Sequence, residues 1–253
     1  MIKFVYIRKF ISLLFSERQQ LIIVKSLSYI FWTLRIYFLG VKINYPKDFL
    51  DNWKKIKNQS SLDRNRSFHV YKLIKYHNLI FKNKKKIIVE VGVDRGASLL
   101  TLFKFAENNS TIIGIDVFEG LKKNNISKFD KYYKKGDLNR QNYQYLFDKC
   151  KKLSNEKKKV ILFKGFFPNL KKNDLKFFKK KKITFLHLDT DLYFSTKDAL
   201  IFFYEKLEKN GIILCDDYNF INQPGVKKAF KDFKKIPANK IISLDTGQAL
   251  IIK

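Results

Sequence analysis

Four aspartates in two close pairs are the residues of this sequence best suited to chemistry. Asp189 and Asp191 follow one apolar, strand-like run, and Asp216 and Asp217 follow another. If those runs are neighbouring strands of an open parallel sheet, their carboxyl ends converge on a ligand crevice. Carboxylates gathered there repel one another unless a cation or a raised pKa offsets the clash. A hard divalent ion with oxygen ligands, Mg²⁺ foremost, meets that need. The blander reading is one or two N-cap aspartates on exposed loops. Two pairs at adjacent strand ends favour the metal.

A second constellation lies upstream, in Glu90-Val91-Gly92-Val93-Asp94-Arg95-Gly96-Ala97-Ser98, where a strand passes into a helix. Gly92 and Gly96 permit a tight turn and close backbone approach, and the helix start offers free N–H groups. A dinucleotide fingerprint would have a middle glycine, which Asp94 replaces here, and acids at Glu90 and Asp94 suit a pyrophosphate poorly. They suit the ammonium and sulfonium groups of S-adenosylmethionine. Asp116, at the end of the next strand, stands where an acid accepts hydrogen bonds from ribose hydroxyls, though a loop or capping carboxylate is the plain alternative.

These residues must be positioned by alternating strands and helices, the pattern of a parallel α/β sheet. Strands are expected over 87–91, 111–115, 160–163, 183–188 and 211–214. Helices are expected from 63 to about 79, and over 97–107, 140–151, 196–209 and 226–233. The long Tyr-rich connection 118–142 is the natural lid and acceptor-recognition segment. At the end, apolar runs 241–244 and 248–252 flank Asp245-Thr246-Gly247, which predicts a β-hairpin. His69, His77 and His187 show no ligand spacing, and His187 reads as a packed strand residue.

The chain has 253 residues, enough for one sizeable domain plus an extension. An N-terminal apolar and basic helical extension is expected over 1–62, and the main domain over 63–253. Within 1–45, Arg18, Lys25, Ser28 and Arg35 would share one stripe of an otherwise greasy helix. A helix packed on the domain or in a dimer interface, or one lying in a membrane surface with its basic stripe outward, accounts for this better than a spanning one. The net charge of +29 comes almost wholly from Lys alongside abundant Asn, Ile and Phe. That is compositional drift more than an Arg-rich phosphate-reading surface, so no specific nucleic-acid site is expected. Two unpaired cysteines, Cys150 and Cys215, point to a reducing compartment. A cytoplasmic location follows, with membrane association through 1–45 left open.

Eight segments then resemble the macrocin O-methyltransferase family, in the family's order across roughly 63–253: VEVGVDRGAS, GIDVFEGL, YKKGDLN, LFKGFFPNL, LHLDTDLYFSTKDAL, NGIILCDDYNF, PGVKKAFKDF and LDTGQALIIK. Asn210 stands where the family usually has Gly, and residues 1–45 carry none of the likeness. The resemblance implies a Rossmann-like, seven-stranded methyltransferase sheet and Mg²⁺-dependent methyl transfer from S-adenosylmethionine to a sugar hydroxyl in polysaccharide or natural-product glycan assembly. It implies cofactor roles for Glu90, Gly92, Val93, Gly96, Ser98 and Asp116, with Phe118 near the adenine or ribose and Gly165-Phe166 lining the pocket. It places the metal on the Asp189/Asp191 pair with Asp216 and Asp217. Sequence treats the members of that pair alike; Asp189 is assigned to the metal and Asp191 to the proton. A sugar-containing acceptor and a homo-oligomer are expected. A phenol- or catechol-type acceptor, or a non-catalytic basic protein that binds membrane or nucleic acid, are the competing readings.

Overall fold

A computed structural model describes residues 43–139, 142–165, 170 and 172–253 of the chain. Most of the 1–45 segment and Phe166 therefore lie outside the described residues. Two helices come first, α1 (Lys47–Ile56) and α2 (Arg64–Ile80). They are followed by β1 (Lys86–Val91), α3 (Ala97–Phe105), β2 (Ser110–Asp116), α4 (Tyr143–Leu153) and β3 (Lys158–Lys164). The second half runs α5 (Lys172–Phe177), β4 (Ile183–Leu188), α6 (Tyr193–Phe203), β5 (Leu207–Cys215) and α7 (Pro224–Phe233), then the hairpin β6 (Ile242–Ser243) and β7 (Ala249–Ile252).

The strands form one seven-stranded sheet in the order β3-β2-β1-β4-β5-β7-β6. Strands β1 to β5 are parallel, and β7 runs antiparallel to β5 and β6. This is the α/β sheet expected from the alternating pattern, ending in the expected hairpin. Every residue of β1 and β4 is buried, as befits central strands covered on both faces. Side chains alternate between the two covers. Ile87, Val89 and Val91 join Phe203 and Phe230 on one side, while Ile88 joins Val70, Ile74, Leu99 and Leu102 on the other.

Local chemistry explains several boundaries. The Asp63 carboxylate caps α2, accepting from the amides of Asn65 at 2.7 Å and Arg66 at 3.1 Å. Pro224 opens α7, where its missing N–H costs nothing. Helix α1 falls inside the stretch 1–62 expected as a helical extension, after the apolar run that carries that expectation. It packs Phe49 against Phe68 and Tyr71 of α2 and sends Asn52 to the Thr101 hydroxyl of α3 at 3.0 Å. The helix expected over 196–209 ends at Phe203 instead, because Leu207 turns back into the sheet to pair with Ile183. The irregularity between Leu207 and Ile212 contains Asn210 at φ +64°, a left-handed backbone that Gly or Asn adopts readily. That conformation accounts for the glycine that relatives favour there.

Candidate active site

Register places the motifs in one row. Val91 pairs with Ile115 on one side and Leu188 on the other, and Leu188 pairs with Cys215. The residues one step beyond, Asp116, Gly92, Asp189 and Asp216, therefore stand side by side at the carboxyl end of the sheet. Strands β1 and β4 are neighbours where the strand order reverses, the usual place for a ligand crevice in such sheets.

The β1–α3 turn is tight because two glycines have positive φ, +89° at Gly92 and +85° at Gly96. A Cβ on Gly92 would lie 1.7 Å from the Asp189 carbonyl oxygen, so the close approach there is to β4 itself. Gly96 likewise packs on the Leu146 side chain, 2.6 Å from where its Cβ would be. Asp116 holds the turn from the other side. Its Oδ2 accepts from the amides of Val93 at 2.7 Å and Asp94 at 2.9 Å, and its Oδ1 from Phe118 at 2.8 Å. Burial raises the Asp116 pKa, and these three amides oppose that shift. A ribose hydroxyl would share a carboxylate that is already bracing the glycine turn.

The other expected cofactor residues surround this turn. Glu90 is fully buried; its Oε1 meets His187 Nδ1 at 2.7 Å, while its Oε2 has no partner among the described residues. An orphaned buried carboxylate oxygen fits an incoming ammonium group such as that of S-adenosylmethionine. Helix α3 starts without a side-chain cap, which leaves its first amides available to a carboxylate, and buried Ser98 stands in its first turn. Phe118, at φ +53°, is buried with its ring 5.0 Å from that of Tyr143. Gly165 follows β3, its amide bonded to the Asp116 carbonyl at 2.8 Å.

Asp189, Asp216 and Asp217 each present a carboxylate oxygen within 4.8 Å of the others. Burial raises the pKa of both Asp189 and Asp217 well above the carboxylate range, and repulsion within the group adds to it. A buried, self-repelling set of oxygen donors is the chemistry a divalent cation relieves, so these residues fit Mg²⁺. Asp191 lies to one side, at φ +58°, with its amide donating to Asp217 Oδ2 at 3.1 Å. Its Oδ1 accepts from the Tyr133 hydroxyl and the Gln223 side-chain amide, which leaves Oδ2 for other work. Burial, then Asp191 and Asp217, push the Tyr133 phenol well above its ordinary pKa, so it stays a donor at neutral pH.

Four further residues, none of them among the expected site residues, complete the surroundings of the aspartates. Arg66, from the first turn of α2, donates to Asp216 Oδ2, to Asp63 Oδ2 at 3.0 Å and to the Ser61 carbonyl at 3.0 Å. Burial works against its charge, yet the carboxylates of Asp216, Asp63, Asp217 and Asp189 together raise its pKa. Gln248 sits opposite Asp216 across the β5–β7 ladder and donates to Asp216 Oδ1 at 2.6 Å; its own Oε1 meets His69 Nδ1 at 2.8 Å. Hairpin register could have revealed Gln248. Tyr133 reaches Asp191 from the Tyr-rich connection expected to act as a lid, and Gln223 from the residue before α7, where nothing local marks it.

The family model described as Macrocin-O-methyltransferase (TylF) matches residues 75–246. Among solved structures, the O-methyltransferase NovP superposes with a TM-score of 0.63 at 20% identity, over 77% of this chain and 82% of its own. The calicheamicin methyltransferase CalS11 gives 0.56 at 18% identity, over 87% and 91%. Its apo form, described as a TDP-rhamnose 3'-O-methyltransferase, gives 0.53 at 17%, over 87% and 92%. At these identities the structural likeness is one of fold. No curated relative matches the sequence.

Proposed function

This chain belongs to the macrocin O-methyltransferase family of S-adenosylmethionine-dependent enzymes, and from that premise we propose that it methylates a sugar hydroxyl with the help of Mg²⁺. The observation that carries the reading is the trio Asp189, Asp216 and Asp217, whose oxygens lie within 4.8 Å of one another beside the glycine turn. These three would hold the metal. When bound, Mg²⁺ would supply Lewis acidity toward an acceptor hydroxyl, and S-adenosylmethionine would supply the methyl group, leaving as S-adenosylhomocysteine.

The chain's own residues do the rest. Asp191 takes the hydroxyl proton at Oδ2, because its Oδ1 is committed to Tyr133 and Gln223. Those two donors keep the carboxylate aimed, and the connection from Phe118 onward folds over it through Leu121, Tyr133 and Leu192. Glu90, Gly92, Val93, Gly96, Ser98, Asp116, Phe118 and Gly165 form the cofactor side of the crevice, and Phe166 completes it in this reading. Gly92 packs directly on the Asp189 backbone, so the cofactor turn and the metal group are in direct contact.

The likeness to CalS11, described as a TDP-rhamnose 3'-O-methyltransferase, supports a sugar acceptor, and hence a place in glycan assembly. Cys150 and Cys215 are free and buried, in keeping with a reducing, cytoplasmic setting. No helix among the described residues is long and apolar enough to cross a membrane. A homo-oligomer and peripheral membrane contact through 1–45 complete the proposal. It is tested by offering radiolabelled S-adenosylmethionine with a panel of sugars, sugar nucleotides and catechols. Labelled sugar supports the reading; label confined to the catechols refutes the sugar assignment.

A further inference from the structure

Segment 57–66 lies between the two halves of the candidate site. At one end the Ser61 hydroxyl donates to Asp94 in the glycine turn, and the Arg95 guanidinium donates to the Asn58 carbonyl at 3.3 Å. At the other end Arg66 reaches Asp216. Along this segment is a shallow, widely open recess lined by Trp53, Lys57, Ser61, Asp63, Arg64 and Arg66 among others. It belongs to neither the glycine turn nor the aspartate trio, yet it borders a contact to each.

The charges of the recess do not balance. Asp63 is used by the α2 amides and by Arg66, and Arg66 is used by Asp63 and Asp216. That leaves Lys57 and Arg64, both exposed and neither in an ion pair among the described residues. Arg64 is held in place by stacking over the Tyr45 ring, 4.6 Å from its centroid. A guanidinium stacked on Tyr45 and an ammonium beside a half-buried indole are the groups that would receive an anion attached to a sugar, the two cations toward the anionic oxygens and Trp53 toward the ring. The positive field of a chain with net charge +29 would draw such a ligand in.

We propose that this recess receives an anionic group of the acceptor, phosphate or carboxylate, through Lys57 and Arg64, so that the sugar methylated is an acidic one. The inference rests on the methyltransferase reading for its acceptor. The full-length protein, saturated with S-adenosylhomocysteine and Mg²⁺, is titrated by calorimetry with glucose 1-phosphate, glucuronate and glucose. One or both anionic sugars bind at least tenfold more tightly than glucose, and whichever does names the class. Binding falls tenfold or more in a Lys57→Gln/Arg64→Gln double variant, weakens with added salt, and survives in Lys57→Arg/Arg64→Lys. Equal binding of glucose and both anions, or unchanged anion binding in the charge-removing variant, overturns the proposal. Binding of S-adenosylhomocysteine itself is measured first: its absence would defeat the methyltransferase reading, whereas its presence with no anion preference defeats only this inference.

Discussion

Replacing Arg66 with methionine isolates the electrostatics of the aspartate group. The Arg66 side chain is 12% exposed and that of Asp216 fully buried, so the pair is shielded from solvent screening. Removing one partner of a buried pair typically costs about 3–5 kcal/mol, because the remaining charge is stranded. Asp216 keeps its bond from Gln248 at 2.6 Å, which argues for the lower end, about 3 kcal/mol. Urea unfolding of wild type and Arg66→Met in EDTA reads this directly. Repeating both titrations in Mg²⁺ should shrink the difference, since a cation among Asp189, Asp216 and Asp217 takes over the neutralisation. An Arg66→Met/Asp216→Asn double variant should recover most of the loss as well. A stability change in EDTA within about 0.5 kcal/mol, the size of an ordinary surface substitution, would refute the reasoning.

Three further outcomes follow from the same geometry. Asp191→Asn should lower kcat by about 10²–10⁴-fold with the cofactor KM unchanged, as expected for loss of a general base, and Tyr133→Phe by about tenfold because Gln223 still holds the carboxylate; steady-state kinetics on the acceptor that turns over decides both. Gly92→Ala should prevent folding to a soluble, cofactor-binding protein, because the new Cβ would meet the Asp189 carbonyl at 1.7 Å with φ at +89°; a normal melting curve would contradict it. His77 is buried against the Thr184 hydroxyl, and burial, then Lys86, lowers its pKa from 6.5 to about 4. The folded state therefore keeps His77 neutral down to a lower pH than the unfolded chain does. The stability this gives is present above pH 6.5 and is lost as pH falls towards 4, by up to about 3 kcal/mol. Urea unfolding at pH 7 and pH 4.5 should show that slope in wild type and lose most of it in His77→Gln.

The sheet was legible because buried parallel strands are continuous apolar runs, and 87–91, 111–115 and 183–188 stand out as such between Gly, Asn and Lys turns. The hairpin was legible from Asp245-Thr246-Gly247. The meeting of Asp189, Asp216 and Asp217 followed from placing two strand ends side by side, which the α/β pattern supports. The bounds of helix α1 within the expected helical extension were not legible, because its polar majority hides a core contact made through Phe49, Asn52 and Ile56. The end of α6 was misjudged because the stretch after Phe203 is rich in helix-forming Glu and Lys, while Leu207 gains more by pairing with Ile183. Arg66 could not be seen at all. Its partner Asp216 is 150 residues away, and no local pattern encodes a contact made by folding. The commitment of Asp116 to three backbone amides was equally hidden, since such bonds depend on the turn's conformation and not on residue type.

The central claim is that Asp189, Asp216 and Asp217 hold a divalent ion that methyl transfer requires. It is tested most directly by measuring transfer from S-adenosylmethionine after EDTA treatment, before and after adding Mg²⁺, in wild type and in Asp217→Asn. Activity abolished by EDTA, restored by Mg²⁺ in wild type and not restored in the variant is the predicted result. Full turnover in EDTA, or an undiminished Asp217→Asn enzyme, would contradict it.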